Sequence, residues 1–379
     1  MQLLNYLQSQ KNIMIEMLAR WVNHDSPTFN KQAVDGMGQM LVEAFTEAGA
    51  TLTATHPQPN FGDHYTLTFG EGNSQILLLH HFDTVWPMGE AKRRPFTIEN
   101  SCATGPGVHD MKGGILISLF ALKAIHHLGL TPPQKLVYLL TSDEEIGSPT
   151  SRGVIESEGQ RSSYCLVLEG AVEGDLTTAR KGVGRFKMEI KGVAAHSGID
   201  PEQGVSAIEE LARHIQALHA LTDFKRGIVV NVGVIAGGER PNIIAPQATA
   251  EIDLRVTHRA DGESLVEKIL TLSPYLPGCQ IKIVGKINRW PWEESPAGLA
   301  MFKKAQAIAH QLGMTVGKRY SGGGSDGNFT AALGIPTLDG LGSLGGGAHA
   351  FSEHTILEAL PLRAALLAEF IMQSETTAQ

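Results

Sequence analysis

Three short apolar runs, at 76–79, 136–140 and 165–168, constrain this chain more than any other feature. Each is too short for a helix, and none shows the in-out alternation of a half-exposed strand. They read as strands buried on both faces, the pattern of a parallel sheet covered by helices. Helical spacing surrounds them. Leu4, Leu7, Ile13, Met17 and Leu18 form an imperfect apolar stripe that ends before Ser26-Pro27. A second helix is expected at 39–48 with Gly49 as its stop, and a third at 111–128, stopped by Gly129 with Pro132-Pro133 beyond. Strands alternating with helices predict an α/β domain with a mixed, mostly parallel sheet flanked by helices.

The middle of the chain changes style. Residues 185–190 alternate, then Val205, Ile208, Leu211, Ile215 and Leu218 recur at helical spacing. Strands are expected at 228–235 and 249–256, a helix at 265–272 and a last strand at 280–284. This strand-helix-strand-strand-helix-strand order is the split βαβ pattern of a ferredoxin-like α+β domain. A helix at 297–312 restores the α/β style after Trp290-Pro291. The expected organisation is therefore a larger domain, 1–181 with 288–379, into which a smaller one, 182–287, is inserted. A length of 379 residues suits two cores better than one.

Composition removes several functions. An apolar share of 42% with 18% charged residues is that of a globular chain. The formal charge of -8 and the lack of any Lys/Arg-rich run argue against nucleic-acid and anionic-membrane partners. The longest apolar stretch, 115–122, is far below the roughly 20 residues that span a bilayer. The first 30 residues lack the basic and apolar regions of a signal peptide. Cys102, Cys165 and Cys279 are scattered and form no CxxC pair, so they read as small buried apolar residues. A reducing, cytoplasmic setting is expected.

Acidic and imidazole residues come directly after the three runs. His81 and Asp83 come after the first, Glu144 and Glu145 after the second, and Glu169 ends the third. In an open α/β sheet, ligands bind at the carboxyl ends of the strands, so separate strands deliver these groups to one rim. Buried charge is costly unless paired or bound to a cation. A His-and-carboxylate set suits zinc and tolerates cobalt or manganese. With His349 added, the donors exceed what one catalytic zinc needs and suit two ions sharing a carboxylate. Asp110 taken alone, just before a helix, would be an N-cap.

The segments HHFDTVWPMGE (80–90), GPGVHDMKGG (105–114), TSDEEIGS (141–148) and LEGA (168–171) resemble the aminoacylase, acetylornithine deacetylase and glutamate carboxypeptidase family of di-zinc peptidases. So do GVAAHSG (192–198), SGGGSDGN (321–328) and GGGAHAFSE (345–353). The matches run in order across nearly the whole chain. HFDTV, DEEIGS and GGGSDG look most like the carboxypeptidase G branch.

The resemblance implies a role for each matched position. His81 and Glu169 would bind one zinc, Glu145 and His349 the other, and Asp110 would bridge the two. Asp83, two residues from His81 on the same strand face, would orient that imidazole. His80 points the other way, and His109 has no assigned role. Glu144 would act as the base for a metal-held water and pass the proton to the leaving nitrogen. His196, in the inserted domain, would reach a partner subunit's site and stabilise the oxyanion, which implies a homodimer. Asn242 and Arg255 would contact the substrate's terminal carboxylate. The glycines at 322–324, Gly323 and Gly324 among them, and at 345–347 would let the backbone approach a ligand.

The expected function is hydrolysis of a peptide or N-acyl amino acid next to a free carboxylate, with two zinc ions as cofactors. The alternatives are an aminoacylase or deacetylase with the same metals, and a non-catalytic metal-binding scaffold. The scaffold would be betrayed by lost ligands or a lost base, and the sequence has lost neither.

Overall fold

The computed structural model describes residues 1–373. It contains two compact units: residues 1–179, 294–320 and 325–373 in the first, and Arg180–Glu293 with Ser321–Gly324 in the second.

The first unit is built on a six-stranded sheet. Its order is Thr51–His56, His64–Phe69, Lys135–Thr141, Gln75–His81, Ser162–Val167, Thr337–Leu338. The last four strands are mutually parallel and the first two pair antiparallel at one edge, so the sheet is mixed and mostly parallel. All seven residues of Gln75–His81 are buried. The buried-strand reading of 76–79 and its neighbours therefore holds, with each strand longer than its apolar run.

The helix Lys112–His127 is apolar nearly all round and buried through Ile115–Leu122. It packs against Leu360–Met372 and Lys11–Val22. An all-round apolar helix has to lie inside a domain. The stripe near the start is two helices, Gln2–Ser9 and Lys11–Val22. The helix expected at 39–48 begins earlier, at Lys31, because the Asn30 side chain caps it by accepting the Ala33 N–H at 3.1 Å. Its early part was hidden by Gly36 and Gly38. Gly38 has a packing reason, since a Cβ there would lie 2.6 Å from the Tyr65 ring.

A second, five-stranded sheet of two- and three-residue strands has no counterpart among the elements expected from sequence. It joins Thr97–Glu99, Cys102–Thr104, His354–Ile356, Leu344–Gly346 and Ala171–Val172. Gly345 belongs to this sheet for steric reasons. An added Cβ would meet the His354 carbonyl at 2.0 Å, so the close approach there is backbone to backbone.

The second unit is an antiparallel four-stranded sheet in the order Val229–Gly237, Gln247–Val256, Gly182–Lys191, Gln280–Arg289. Ala207–His219 and Arg259–Leu270 provide its helices. In chain order this is the split βαβ arrangement, with its own core around Phe186, Met188, Leu211, Ile252 and Leu254. Ser321–Gly324 also belongs to this unit, held by the Lys181 N–H on the Ser321 carbonyl at 3.0 Å and by Arg180 on the Gly323 carbonyl at 3.2 Å. Cys165 and Cys279 are buried; Cys102 is only half-buried, because it sits on a short strand of the second sheet.

Candidate metal centre

Gln75–His81 lies between Lys135–Thr141 on one side and Ser162–Val167 on the other, the next two parallel strands in the chain. The strand order reverses there, and a crevice opens at the carboxyl ends of the strands at such a point. His81 is the last residue of the central strand, Glu144 and Glu145 sit in a 3₁₀ turn after the second strand, and Glu169 comes after the third. Asp110 lies just ahead of the helix Lys112–His127. Its side chain caps nothing, because Met111 occupies the cap position. His349 comes from the loop between Leu344–Gly346 and His354–Ile356, with a backbone φ of 63°. A non-glycine residue in this region is uncommon and is often found at functional sites.

Five of these side chains meet in two groups that share one member. His81, Asp110 and Glu169 have donor atoms within 4.8 Å of one another, as do Asp110, Glu145 and His349. Asp110 faces both groups. One of its oxygens, Oδ1, is 3.0 Å from His81 Nε2, and the other, Oδ2, is 3.2 Å from His349 Nε2. His81 Nε2 is also 3.6 Å from Glu169, and His349 Nε2 is 3.0 Å from Glu145 Oε2.

Electrostatics within the cluster are strained. Burial alone would push the His81 imidazole down, but Glu169, Asp110 and Asp83 outweigh it and hold it well above its ordinary value. The hydrogen bonds to Asp110 and Glu145 raise His349 to about 11. Burial, then the neighbouring Asp110 charge, pushes Glu145 up to about 7 and also raises Glu169. Burial pushes Asp110 upward too, but His349 and His81 overcome it and hold that carboxyl far below the usual range. Three carboxylates are crowded into a poorly solvated site, with two imidazoles as their compensation. Glu145 Oε1 is buried with no hydrogen-bond partner among the described residues. Oxygen and imidazole donors with an orphaned carboxylate oxygen suit borderline divalent cations such as zinc.

Asp83 is fully buried and acts as a hub. One of its oxygens is 3.4 Å from His81 Nδ1. The carboxylate also accepts the Thr28 hydroxyl at 2.8 Å and the backbone N–H groups of Glu144 and Glu145 at 3.2 and 3.3 Å. His81 Nδ1 lies nearer still to the Asp83 backbone carbonyl, at 3.1 Å, so one residue, through its carbonyl and its carboxylate, sets both the imidazole and the acidic turn. His80 points into the core, 3.3 Å from the Leu139 carbonyl, with burial lowering it to about 3. His109 is buried 3.1 Å from the Ser343 hydroxyl and lies against Gly170.

Several contributors were not picked out from the sequence. Glu353, within a matched motif but given no role, is fully buried and accepts the N–H groups of Gly107, His109 and Asp110 at 3.0, 2.9 and 3.1 Å. Asp143 accepts from the backbone N–H and hydroxyl groups of both Thr150 and Ser151, which shapes the turn behind Glu144. Buried Arg363 donates to the Gly342 carbonyl at 3.0 Å and also to that of Gly340, bracing the connection that leads into Leu344–Gly346. A carboxylate inside a glycine-rich motif was the available signal for Glu353. Arg363 offered none.

Within the second unit, His196 and Asn242 are exposed and adjacent. Residues 196 and 243 form a β-bridge, and the Ser197 N–H donates to the Asn242 carbonyl at 3.1 Å. Arg255 is elsewhere. Asn242 precedes the strand Gln247–Val256, and Arg255 is next to its last residue. The Arg255 guanidinium is engaged by Asp253 at 2.8 and 3.1 Å. Within a single copy nearly the whole strand separates Asn242 from Arg255, so the structure does not bring these two together. A Cβ added at Gly323 would meet only the Ser321 hydroxyl, at 3.8 Å. A cavity of about 390 Å³ on this sheet, lined in part by Arg185 and Asp253, contains none of the expected donors.

Together these features define a mixed α/β protein whose sheet carries a candidate metal-binding donor cluster at its switch point. Residues 77–373 match the profile of Peptidase family M20/M25/M40, and the chain belongs to that family. It is 29% identical over 367 residues to carboxypeptidase G2 of a Pseudomonas species, covering 95% of this chain and 88% of the relative. It is 23% identical to succinyl-diaminopimelate desuccinylase of Legionella pneumophila, covering 86% and 90%. The fold matches the M20 family metallo-carboxypeptidase Sso-CP2 of Sulfolobus solfataricus with a TM-score of 0.76 at 17% identity, covering 95% and 98%. The family is metal-dependent, and the chain is a hydrolase of this class.

Proposed function

We propose that the chain is a two-zinc amidohydrolase that releases an amino acid with a free carboxylate from a peptide or N-acyl conjugate. One observation carries this reading: the two oxygens of Asp110 are directed at separate histidines, each accompanied by its own glutamate. His81, Glu169 and Asp110 would hold one ion, and Asp110, Glu145 and His349 the other. Cobalt or manganese could replace zinc in vitro. When bound, the ions would acidify a water toward a pKa of about 7 and polarise the scissile carbonyl.

The remaining steps fall to the side chains. Asp83 fixes the His81 imidazole and, through the amides it accepts, the turn carrying Glu144. Glu144 takes a proton from the attacking water as the new C–O bond forms, then gives it to the amide nitrogen as the C–N bond breaks. The products are a carboxylate and a free amine. His196 and Asn242 would serve the site of a second copy in a homodimer, with His196 stabilising the oxyanion. Arg255, Gly323 and Gly324 would complete the binding of the leaving amino acid. The carboxypeptidase relative supports release of a C-terminal residue over removal of a small acyl group.

Glu144→Gln tests the assignment. Turnover of N-acyl amino acids should fall by at least about 10³-fold, while elemental analysis still finds two zinc ions per chain. Retained turnover would remove Glu144 as the base, and one zinc or none in the wild type would remove the paired centre.

A further inference from the structure

The first unit has a cavity of about 590 Å³ whose wall includes Glu145 itself. That volume lies within the range of small-molecule sites, ~300–1,000 Å³. Its wall is mostly apolar, Phe29, Val85, Trp86, Met88 and Ile146 among it, with Thr28, Asn30 and Thr84 as uncharged polar members. Phe29, Val85 and Met88 are large apolar side chains left 78%, 44% and 51% exposed. Exposed apolar groups clustered around a concavity mark a binding surface.

The walls are fixed in place. The Thr84 N–H donates to the Ser26 carbonyl at 2.8 Å, tying together the segments that carry Phe29 and Val85. The Trp86 indole donates to Glu353 at 3.1 Å, and its ring is covered by the Arg94 guanidinium 4.2 Å from the centroid. Ile146 is next to Glu145 in the same 3₁₀ turn.

We infer that this cavity receives the acyl half of the substrate, and that this half is bulky, uncharged and apolar. The inference rests on the amidohydrolase reading above. Among the described residues no lysine, arginine or histidine lines the cavity, so it does not pair the free carboxylate of the leaving amino acid. A succinyl group would place a second carboxylate against Phe29, Val85, Trp86 and Met88, where no cationic side chain of the lining could pair it. An acetyl group would leave most of the apolar wall wet.

The zinc-loaded enzyme is assayed with acetyl, succinyl, octanoyl and hydrocinnamoyl derivatives of both glutamate and alanine. Octanoyl and hydrocinnamoyl substrates should exceed acetyl in kcat/KM by about tenfold or more, with succinyl lowest and the order the same for both amino acids. Met88→Glu should cut the octanoyl-to-acetyl ratio about tenfold. Equal kcat/KM across the acyl series would overturn the pocket and leave the hydrolase reading standing. Equilibrium binding of the same compounds to zinc-loaded Glu144→Gln protein reads the pocket without turnover. There a preference for bulky groups upholds it even if no compound is cleaved by the wild type, and parity overturns it.

Discussion

The Glu353 carboxylate accepts the backbone N–H of Asp110 at 3.1 Å, so a residue at the far end of the His349 loop holds the residue that faces both donor groups. The same carboxylate takes the amides of Gly107 and His109 and the Trp86 indole. Burial raises its pKa, and the amides oppose that rise.

Glu353→Gln removes the charge and turns a donor toward a ring of donors. Zinc affinity, measured by competition with a chelator, should fall about 10–100-fold, the usual cost of losing a supporting hydrogen bond behind a metal ligand. Unchanged affinity would mean that the 107–110 turn holds its own shape.

A site completed by a second copy makes a mixing prediction. Glu144→Gln and His196→Ala proteins should each be inactive or nearly so, the second losing about 10²–10³-fold. Refolded together in equal amounts, they should recover about a quarter of wild-type activity, because half the dimers carry one complete site. No recovery would place His196 within its own subunit's site, and full activity of the His196→Ala protein alone would place it outside the reaction.

His64 carries a pH prediction that does not involve the donors. It is buried between Thr150 and Ser142, with Nε2 2.9 Å from the Thr150 hydroxyl. Burial lowers its pKa below 6.5. The unfolded chain then binds more protons than the folded one in the window below 6.5, so this histidine's contribution is complete above that pH and is lost as pH falls through it. The thermal midpoint of His64→Asn should fall less between pH 7.5 and 5 than that of the wild type. Parallel curves would mean that His64 takes up its proton alike in the folded and unfolded states.

The legible parts of the chain were those where one physical requirement dominates. A strand buried on both faces has to be apolar, so 76–79, 136–140 and 165–168 announced the centre of the sheet. The polar residues just past their carboxyl ends then announced the donors His81, Glu145 and Glu169. Thr51–His56 did not announce itself, because an edge strand open to water needs no apolar run. The two- and three-residue strands around His354 are too short to carry a period. Asp110 read as a cap on spacing alone, and only the flanking motif pointed to another role. Glu353 and Asp143 act through backbone amides. Such bonds depend on where the chain returns to itself, and a linear sequence does not encode that locally.

Asp83 meets the His81 imidazole with its backbone carbonyl and one carboxylate oxygen, and anchors the Glu144–Glu145 turn with both carboxylate oxygens. Any substitution there moves cation affinity and proton transfer in the same step. The two properties cannot be tuned separately from this position, so a variant library that varies Asp83 should yield no member with tighter metal binding at undiminished speed.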